Sequence, residues 1–314
     1  MGPDPQPLAG LEFALVGPGR VGSSLALWLA AAGGRCLSVA GRGGSRRAAE
    51  LAARLGASVA PGPELADERA KLLLVAVPDA EIHDVAHRAA ARRRRGVALH
   101  VSGALGASAL APLAAAGCRI GALHPLHAFT AVEEDPSAAR GIFFALDGDA
   151  EARALGRRIA EALGGESAVV PEELRPLYHW AATLAAGGIV TLVATAQAVA
   201  RRLNLPESAA RGYGKLASGA LEGALAAPSA AAAMTGPIAR GDTPTVEAHF
   251  AALARAAPDL LPLAVELVRS GLARRAEAGL ETPEQKALAT RVERSDLLDR
   301  ARDRVLTSSR PKPA

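Results

Sequence analysis

The sequence is short of cysteine, aromatic residues and lysine, and each shortage narrows what the chain can be. Its 314 residues include 2 Cys, 2 Trp, 2 Tyr and 5 Phe. Cys36 and Cys118 each sit in an apolar stretch, without a CxxC pair or the spacing of a metal site, so a disulfide framework is not expected. No metal site is expected either, because His100, His124 and His127 are joined by no Cys or carboxylate at ligand spacing. Lysine occurs only at positions 71, 215, 286 and 312, so the formal charge of +4 and the pI near 9.5 come from arginine. The densest basic run, Arg92 to Arg95, has no aromatics interleaved and reads as a solvated helix end, so no nucleic-acid partner is expected. Half of the residues are hydrophobic, and with 3% aromatics the core must be built of Ala, Leu and Val, which pack helices closely.

Long apolar runs are also scarce. The longest, Trp180 to Ala196, is slightly short for a bilayer, built mostly of Ala, and interrupted by Gly187 and Gly188. It reads as a buried helix, with no membrane involved. Residues 1–10 show neither a basic stretch leading into an apolar one nor a hydroxyl residue at Gln6, so the expected location is cytoplasmic.

What is present is an alternation of short apolar strands and helices. From Leu11 there is a strand, a glycine turn, a helix with Val21, Leu25, Trp28 and Leu29 on one face, and a second strand near Leu37 to Ala40. A helix over Arg46 to Leu55 and a strand near Ala57 to Ala60 follow, then the all-apolar run Leu72 to Val77, the pattern of a strand buried on both faces. Further strands are expected at Val97 to Val101, Ile120 to Leu123 and Ile142 to Leu146, and a helix at Ala150 to Leu163. The pattern predicts an α/β fold with a doubly wound parallel sheet over residues 1–171. From Glu172 no strand pattern recurs. Residues 172–305 read as an all-helical domain, broken at Leu205-Pro206, at Ala227-Pro228-Ser229 and by a polar loop from Thr235 to Thr245, and residues 306–314 read as a disordered tail.

Gly17-Pro18-Gly19-Arg20-Val21-Gly22 fits G-x-G-x-x-G directly between a strand and a helix, the context that gives this motif its meaning. Gly17 permits the turn, Gly19 lets backbone approach a pyrophosphate, and Gly22 lets helix and strand pack. After the second strand, where an acidic residue would bind the ribose of NAD, there is no carboxylate before Glu50. Arg42, Ser45 and Arg46 suit the 2′-phosphate of NADP instead, so NADP is expected rather than NAD. Val77, Pro78 and Asp79, and His100 to Gly103, fall at later strand ends, on the edge where open sheets bind ligands. Asp79 reads first as a helix N-cap.

Taken with the segments Leu123-His124-Pro125-Leu126, Leu177-Tyr178-His179 and Thr235 to Asp242, these motifs resemble a protein family with a Rossmann-like domain followed by a domain of unknown function, over roughly Leu11 to Leu280. That family is similar in architecture to pyrroline-5-carboxylate reductase, to 6-phosphogluconate and β-hydroxyacid dehydrogenases, and to ketopantoate reductase. The resemblance implies a dimer through the helical domain, an active site between the domains, and NADPH-dependent reduction of a small carboxylate-bearing keto or imino compound. The ketopantoate-like reaction comes first and the pyrroline-carboxylate-like reaction second. By position, Ser102 and Gly103 would hold the substrate carboxylate. Related sequences carry Ser-Asn where this chain has Ala186 and Gly187, a departure that keeps a non-catalytic NADP-binding sensor or assembly protein as the alternative.

Carbonyl reduction needs a proton donor, and the candidates are His179 and His124, with His127 behind them. Each could equally satisfy a local carbonyl. Arg240 is a candidate for the substrate carboxylate with Asp242 beside it, or the two form a salt link that only fixes their loop. Thr245 reads as the N-cap of the next helix.

Overall fold

The structure, a computed structural model, describes residues 6–43 and 45–293. The expected tail and the end of the expected helical domain lie outside these residues. Strands β1 (Glu12–Val16), β2 (Arg35–Ala40), β3 (Ser58–Ala60), β4 (Leu72–Val75), β5 (Val97–His100), β6 (Arg119–Pro125), β7 (Phe143–Gly148) and β8 (Glu166–Val169) form one sheet in the order β3-β2-β1-β4-β5-β6-β7-β8. The chain winds outward from β1 in both directions, which opens a crevice at the carboxyl ends of β1 and β4. All pairs are parallel except β6 with β7.

Helices α1 (Arg20–Ala31), α2 (Arg46–Leu55), α3 (Asp79–Ala90), α4 (Ala111–Ala115) and α5 (Ala150–Ala162) pack on the sheet. Alternation along the inner strands divides the core between the two faces. Phe13, Leu15, Leu72 and Leu74 join Leu25, Trp28 and Leu29 of α1 on one side, while Ala14, Val16, Leu73 and Val75 join Ile82, Val85 and Ala86 of α3 on the other. These strand residues are almost completely buried, as the unbroken apolar run at Leu72 implied.

Two expectations for this part change. Glu166–Val169, where no strand was expected, pairs with β7 as an edge strand, and its mostly exposed residues carry no apolar alternation. The helix at Asp79 is entered through Pro78 as its cap, and Asp79 stands in the first turn, where a carboxylate faces the positive end of the helix.

Beyond the sheet come α6 (Arg175–Thr183), a π-helical turn (Leu184–Gly188), α7 (Ile189–Arg202), α8 (Glu207–Ala226), α9 (Ala230–Ala233), α10 (Gly236–Arg240), α11 (Thr243–Ala256), α12 (Leu261–Glu277) and α13 (Pro283–Glu293). Contacts divide the chain into one unit ending at Val190 and a second beginning at Thr191, so α6 and the π-helical turn belong with the sheet. The second unit has its own core of Val246 and Phe250 of α11, Val265, Val268 and Leu272 of α12, and Leu288 and Val292 of α13.

The polar stretch Thr235 to Thr245 is mostly helix rather than loop. Gly241, at φ 65°, closes α10 in the left-handed region and lies against the backbone of Glu284 and Gln285, where a Cβ would collide. The N-cap of α11 is Asp242, not Thr245, because the carboxylate accepts from the Thr245 N–H at 3.2 Å and from its hydroxyl at 2.8 Å.

The largest departure concerns the apolar run. Helical residues 172–202 contain a window of mean hydropathy 1.6, long and apolar enough to cross a membrane by length and composition, and none of that window is buried. Leu177, Trp180 and Val190 are 60–68% exposed, whereas the sequence reading expected a buried helix. In the second unit, Leu216 and Leu225 of α8 are also exposed.

Candidate cofactor site and imidazole cleft

The turn between β1 and α1 uses its three glycines differently. Gly17 has φ 98°, and a Cβ there would strike the Ala76 carbonyl, so no other residue fits without backbone movement. A Cβ on Gly22 would strike the Gly17 carbonyl, which shows how closely helix and turn approach. Gly19 faces open space: nothing lies within 4 Å of where its Cβ would be, and its φ of −77° suits any residue. Gly19 is also the N-cap of α1 and supplies no side-chain acceptor, which leaves first-turn N–H groups available to an anion. Those are the properties of a pyrophosphate cradle. Arg20 lines the groove beside it, and its Nη1 donates to the Thr130 carbonyl at 3.1 Å, while Val21 packs on the core.

A cleft of ≈ 300 Å³ continues from this turn across the ends of β2 and β4. Gly41, Arg42, Ser45 and Arg47 line one side, and Val77, Pro78, Glu81 and Arg88 the other. Arg42 is ion-paired with Glu81, and both side chains are exposed. Ser45 caps α2, accepting from the Ala48 N–H at 3.2 Å. Arg46 does not line the cleft. It points into solvent on α2 and pairs with Glu50 at 2.7 Å. The arginine that does line it is Arg47, one position on, since neighbouring helix residues point about 100° apart. Arg88, paired with Glu64 at 2.8 Å, joins Arg42 and Arg47 as a lining cation, one that sequence reasoning passed over because it sits a whole helix away in the chain.

At the ends of β5 and β6 the same unit gathers three imidazoles. His100 is fully buried, and its Nε2 lies 2.8 Å from the Gly106 carbonyl while its Nδ1 accepts from the Ser102 N–H at 3.2 Å. Both nitrogens are therefore committed to shaping the turn, and burial pushes this imidazole down to about 4. Ser102 is part of that turn too, its Oγ accepting from the N–H groups of Ala104 and Leu105 at 3.2 and 3.1 Å.

Gly103, beside it, is the point on which side chains converge. A Cβ there would lie 2.5 Å from His179 Nδ1 and 2.7 Å from His124 Nε2. His124 is pushed down to about 4 by burial first and then by the charges of His179, Arg175 and His100. Its Nδ1 is 2.9 Å from the Tyr178 hydroxyl, and its ring meets those of Tyr178 and His179 edge-on at 5.5 and 5.8 Å. His179 Nδ1 is buried without a hydrogen-bond partner among the described residues.

These groups open on a cleft of ≈ 620 Å³ whose other walls are mostly small and apolar, among them Ala128, Ala182, Ala186 and Gly187. His127 lines it as well, and packs edge-on against Phe129 at 4.7 Å and Trp28 at 6.2 Å. Among the described residues, no group of three His, Cys, Asp or Glu could hold a metal ion.

Arg175 anchors α6 to this corner. It is fully buried, donates to the Ser102 carbonyl at 3.1 Å and the Ala145 carbonyl at 3.4 Å, and faces Asp147 at 3.8 Å. Neither Arg175 nor Tyr178 stood out as a site residue in the sequence. The available signal was their i, i+3 and i+4 spacing with His179, which puts all three on adjoining faces of one helix. Arg240 and Asp242 belong to the second unit, where they pair at 3.6 Å and Asp242 is occupied as a cap.

Residues 5–125 match a Rossmann-like domain and residues 142–270 match domain of unknown function 2520, so the chain carries these two domains in succession. No curated protein matches the sequence. Among solved structures, a Bacteroides fragilis protein named provisionally as an NADP oxidoreductase is similar at a TM-score of 0.67 and 22% identity, over 84% of this chain and 98% of that one. A reductive aminase from Aspergillus terreus, solved with NADPH and ethyl-5-oxohexanoate, is similar at a TM-score of 0.56 and 17% identity, over 93% of this chain and 95% of that one. A pyrroline-5-carboxylate reductase from Coxiella burnetii is similar at 0.50 and 17%, over 86% and 98%. At these identities the likeness is one of fold.

Proposed function

We propose that the protein is an NADP-dependent oxidoreductase that reduces a small keto or imino compound bearing a carboxylate, ketopantoate-like in the first instance and pyrroline-carboxylate-like in the second. The observation that carries this reading is a single sheet edge holding both an open glycine cradle at Gly19 and a buried imidazole corner at Gly103. Bound NADPH supplies the hydride. The chain supplies the rest: the Gly17 to Gly22 turn and the start of α1 take the pyrophosphate, and Arg42 and Arg47 take the 2′-phosphate, with Arg42 exchanging Glu81 for it. At the other end, His124 and His179 face the reacting oxygen or nitrogen, with His179 as proton donor and His124 kept neutral by its surroundings. Ser102 shapes the turn that presents Gly103 to the carboxylate, and Arg240 is its candidate counter-ion.

The fold neighbours support the reading through what they are named for, an NADP oxidoreductase, an NADPH-bound reductive aminase and a pyrroline-carboxylate reductase. The proposed assembly is a cytoplasmic homodimer, which covers the bare apolar faces of the helical segments.

Titration with NADPH and NADH, followed by turnover of a panel of 2-keto acids and cyclic imines, tests the reading. Tighter binding of NADPH and oxidation of it by any panel member support it, while absence of binding removes it. Binding without any turnover favours the non-catalytic sensor, for which the side-chain-free position at Gly187 in the cleft is the specific observation.

A further inference from the structure

The reductase reading leaves one question at the imidazole corner: which nitrogen of His124 carries the proton. A neutral imidazole has one donor and one acceptor, and only the donor can polarise a carbonyl. Among the described residues, His124 has a hydrogen-bond partner at Nδ1, the Tyr178 hydroxyl at 2.9 Å, while its Nε2 is turned toward Gly103.

We propose that Tyr178 is a positioning residue that donates its hydroxyl proton to His124 Nδ1, locking His124 as the neutral Nε2–H tautomer and holding that N–H over Gly103 for the substrate's carbonyl oxygen or imine nitrogen. The inference deepens the reductase reading and rests on it for the identity of the acceptor.

Three observations fix the direction of this hydrogen bond. Between a phenol and an imidazole, the ring nitrogen is the stronger base and the phenol O–H the stronger acid, so O–H···N is favoured over N–H···O. The groups facing His124 are Tyr178, His179, His100 and the guanidinium of Arg175, and none of them carries negative charge to stabilise an imidazolium. Burial pushes the Tyr178 phenol up, against the smaller opposing pull of the Arg175 guanidinium, so the hydroxyl keeps its proton and has it to donate. The place where the Nε2–H points is kept clear by the sequence, because Gly103 is buried and any Cβ on it would fill the space between the two imidazoles. His179 Nδ1, buried and without a partner among the described residues, is the second polar atom aimed at the same point. A neutral imidazole donor suits a carbonyl whose charge develops only during reaction, since it costs nothing in fixed charge before then.

The test is a long-range proton–nitrogen correlation spectrum of the nitrogen-labelled full-length protein, with the His124 signals assigned by their loss in His124→Gln. The expected spectrum has a pyridine-like Nδ1 and a pyrrole-like Nε2 for His124. In Tyr178→Phe the two should collapse toward averaged values, and kcat with NADPH and a turned-over panel substrate should fall about 10- to 100-fold, with KM for NADPH unchanged. A pyrrole-like Nδ1 in the wild type overturns the proposal, as does a tautomer that Tyr178→Phe leaves unmoved. If that variant does not fold, the wild-type spectrum decides alone. Absence of NADPH binding by the wild type sinks the reductase reading and with it the substrate half of this proposal, while the spectrum still decides the tautomer half.

Discussion

Alanine substitutions at the three glycines of the first turn should separate folding from binding. Gly19→Ala meets no atom and needs no unusual backbone, so its thermal midpoint should stay close to that of the wild type, while the added methyl stands where backbone must approach a pyrophosphate. Its NADPH dissociation constant should rise at least about tenfold, equivalent to roughly 1.4 kcal/mol. Gly17→Ala and Gly22→Ala, which collide with the Ala76 and Gly17 carbonyls, should lower the thermal midpoint itself. Arg47→Ala should weaken NADPH binding by about 10-fold or more and leave NADH binding nearly unchanged. An equal loss for both dinucleotides would place Arg47 away from the 2′-phosphate.

His100 shares a pH window with His124, which burial likewise pushes down to about 4. Its folded value of about 4 lies below the ordinary 6.5, so between these values the unfolded chain binds more protons than the folded one. Stability from this group is therefore complete above about pH 6.5 and is lost progressively down to about pH 4, a change on the order of 3 kcal/mol. Urea unfolding at pH 7 and pH 5 measures the loss, and His100→Asn should reduce the dependence across that range, leaving the part that His124 contributes.

At the scale of elements, the parts that could be read from the chain were those whose side chains repeat with a period. The inner strands of the sheet were plain because burial on both faces leaves only apolar residues, and the bounds of α2 matched its Ser45 cap and Gly56 stop. The edge strand β8 was missed for the opposite reason, since a mostly exposed strand of Glu166, Ser167 and Ala168 carries no hydrophobic alternation. The glycine turn could be read because it is local. The imidazole corner could be read only in pieces: His124 and His179 were candidates, but their meeting over Gly103 depends on α6 folding back onto β5 and β6, a contact between residues far apart in sequence.

That return is held by Arg175, so this helix gives its own prediction. Arg175→Ala removes two hydrogen bonds to backbone carbonyls and leaves Asp147 with its charge unmatched, which should cost about 3–5 kcal/mol by chemical unfolding. Arg175→Met, which refills the volume, should recover part of the loss.

For the molecule as a whole, the bare helical surface matters most. Leu177, Trp180 and Val190 stand exposed in the first unit and Leu216 and Leu225 in the second, and large apolar residues left in water in such numbers mark interaction surfaces. Light scattering in the absence of detergent should report twice the 31.9 kDa chain mass. Leu225→Glu or Trp180→Glu should shift the population toward the single chain. A monomer that floats with lipid vesicles would instead assign the face to a membrane.

One strap described above joins the two ends of the site. The segment after β6 lies along α1: the Glu133 N–H donates to Ser24 at 2.8 Å, Arg20 reaches the Thr130 carbonyl, and His127 and Phe129 stack on Trp28. The helix that begins at the glycine cradle is thus laced to the strand that ends at His124. Deuterium should enter the Glu133 amide only as fast as α1 lets go, and a dinucleotide gripping the start of that helix should slow exchange at a residue far along the chain from the glycines that touch it.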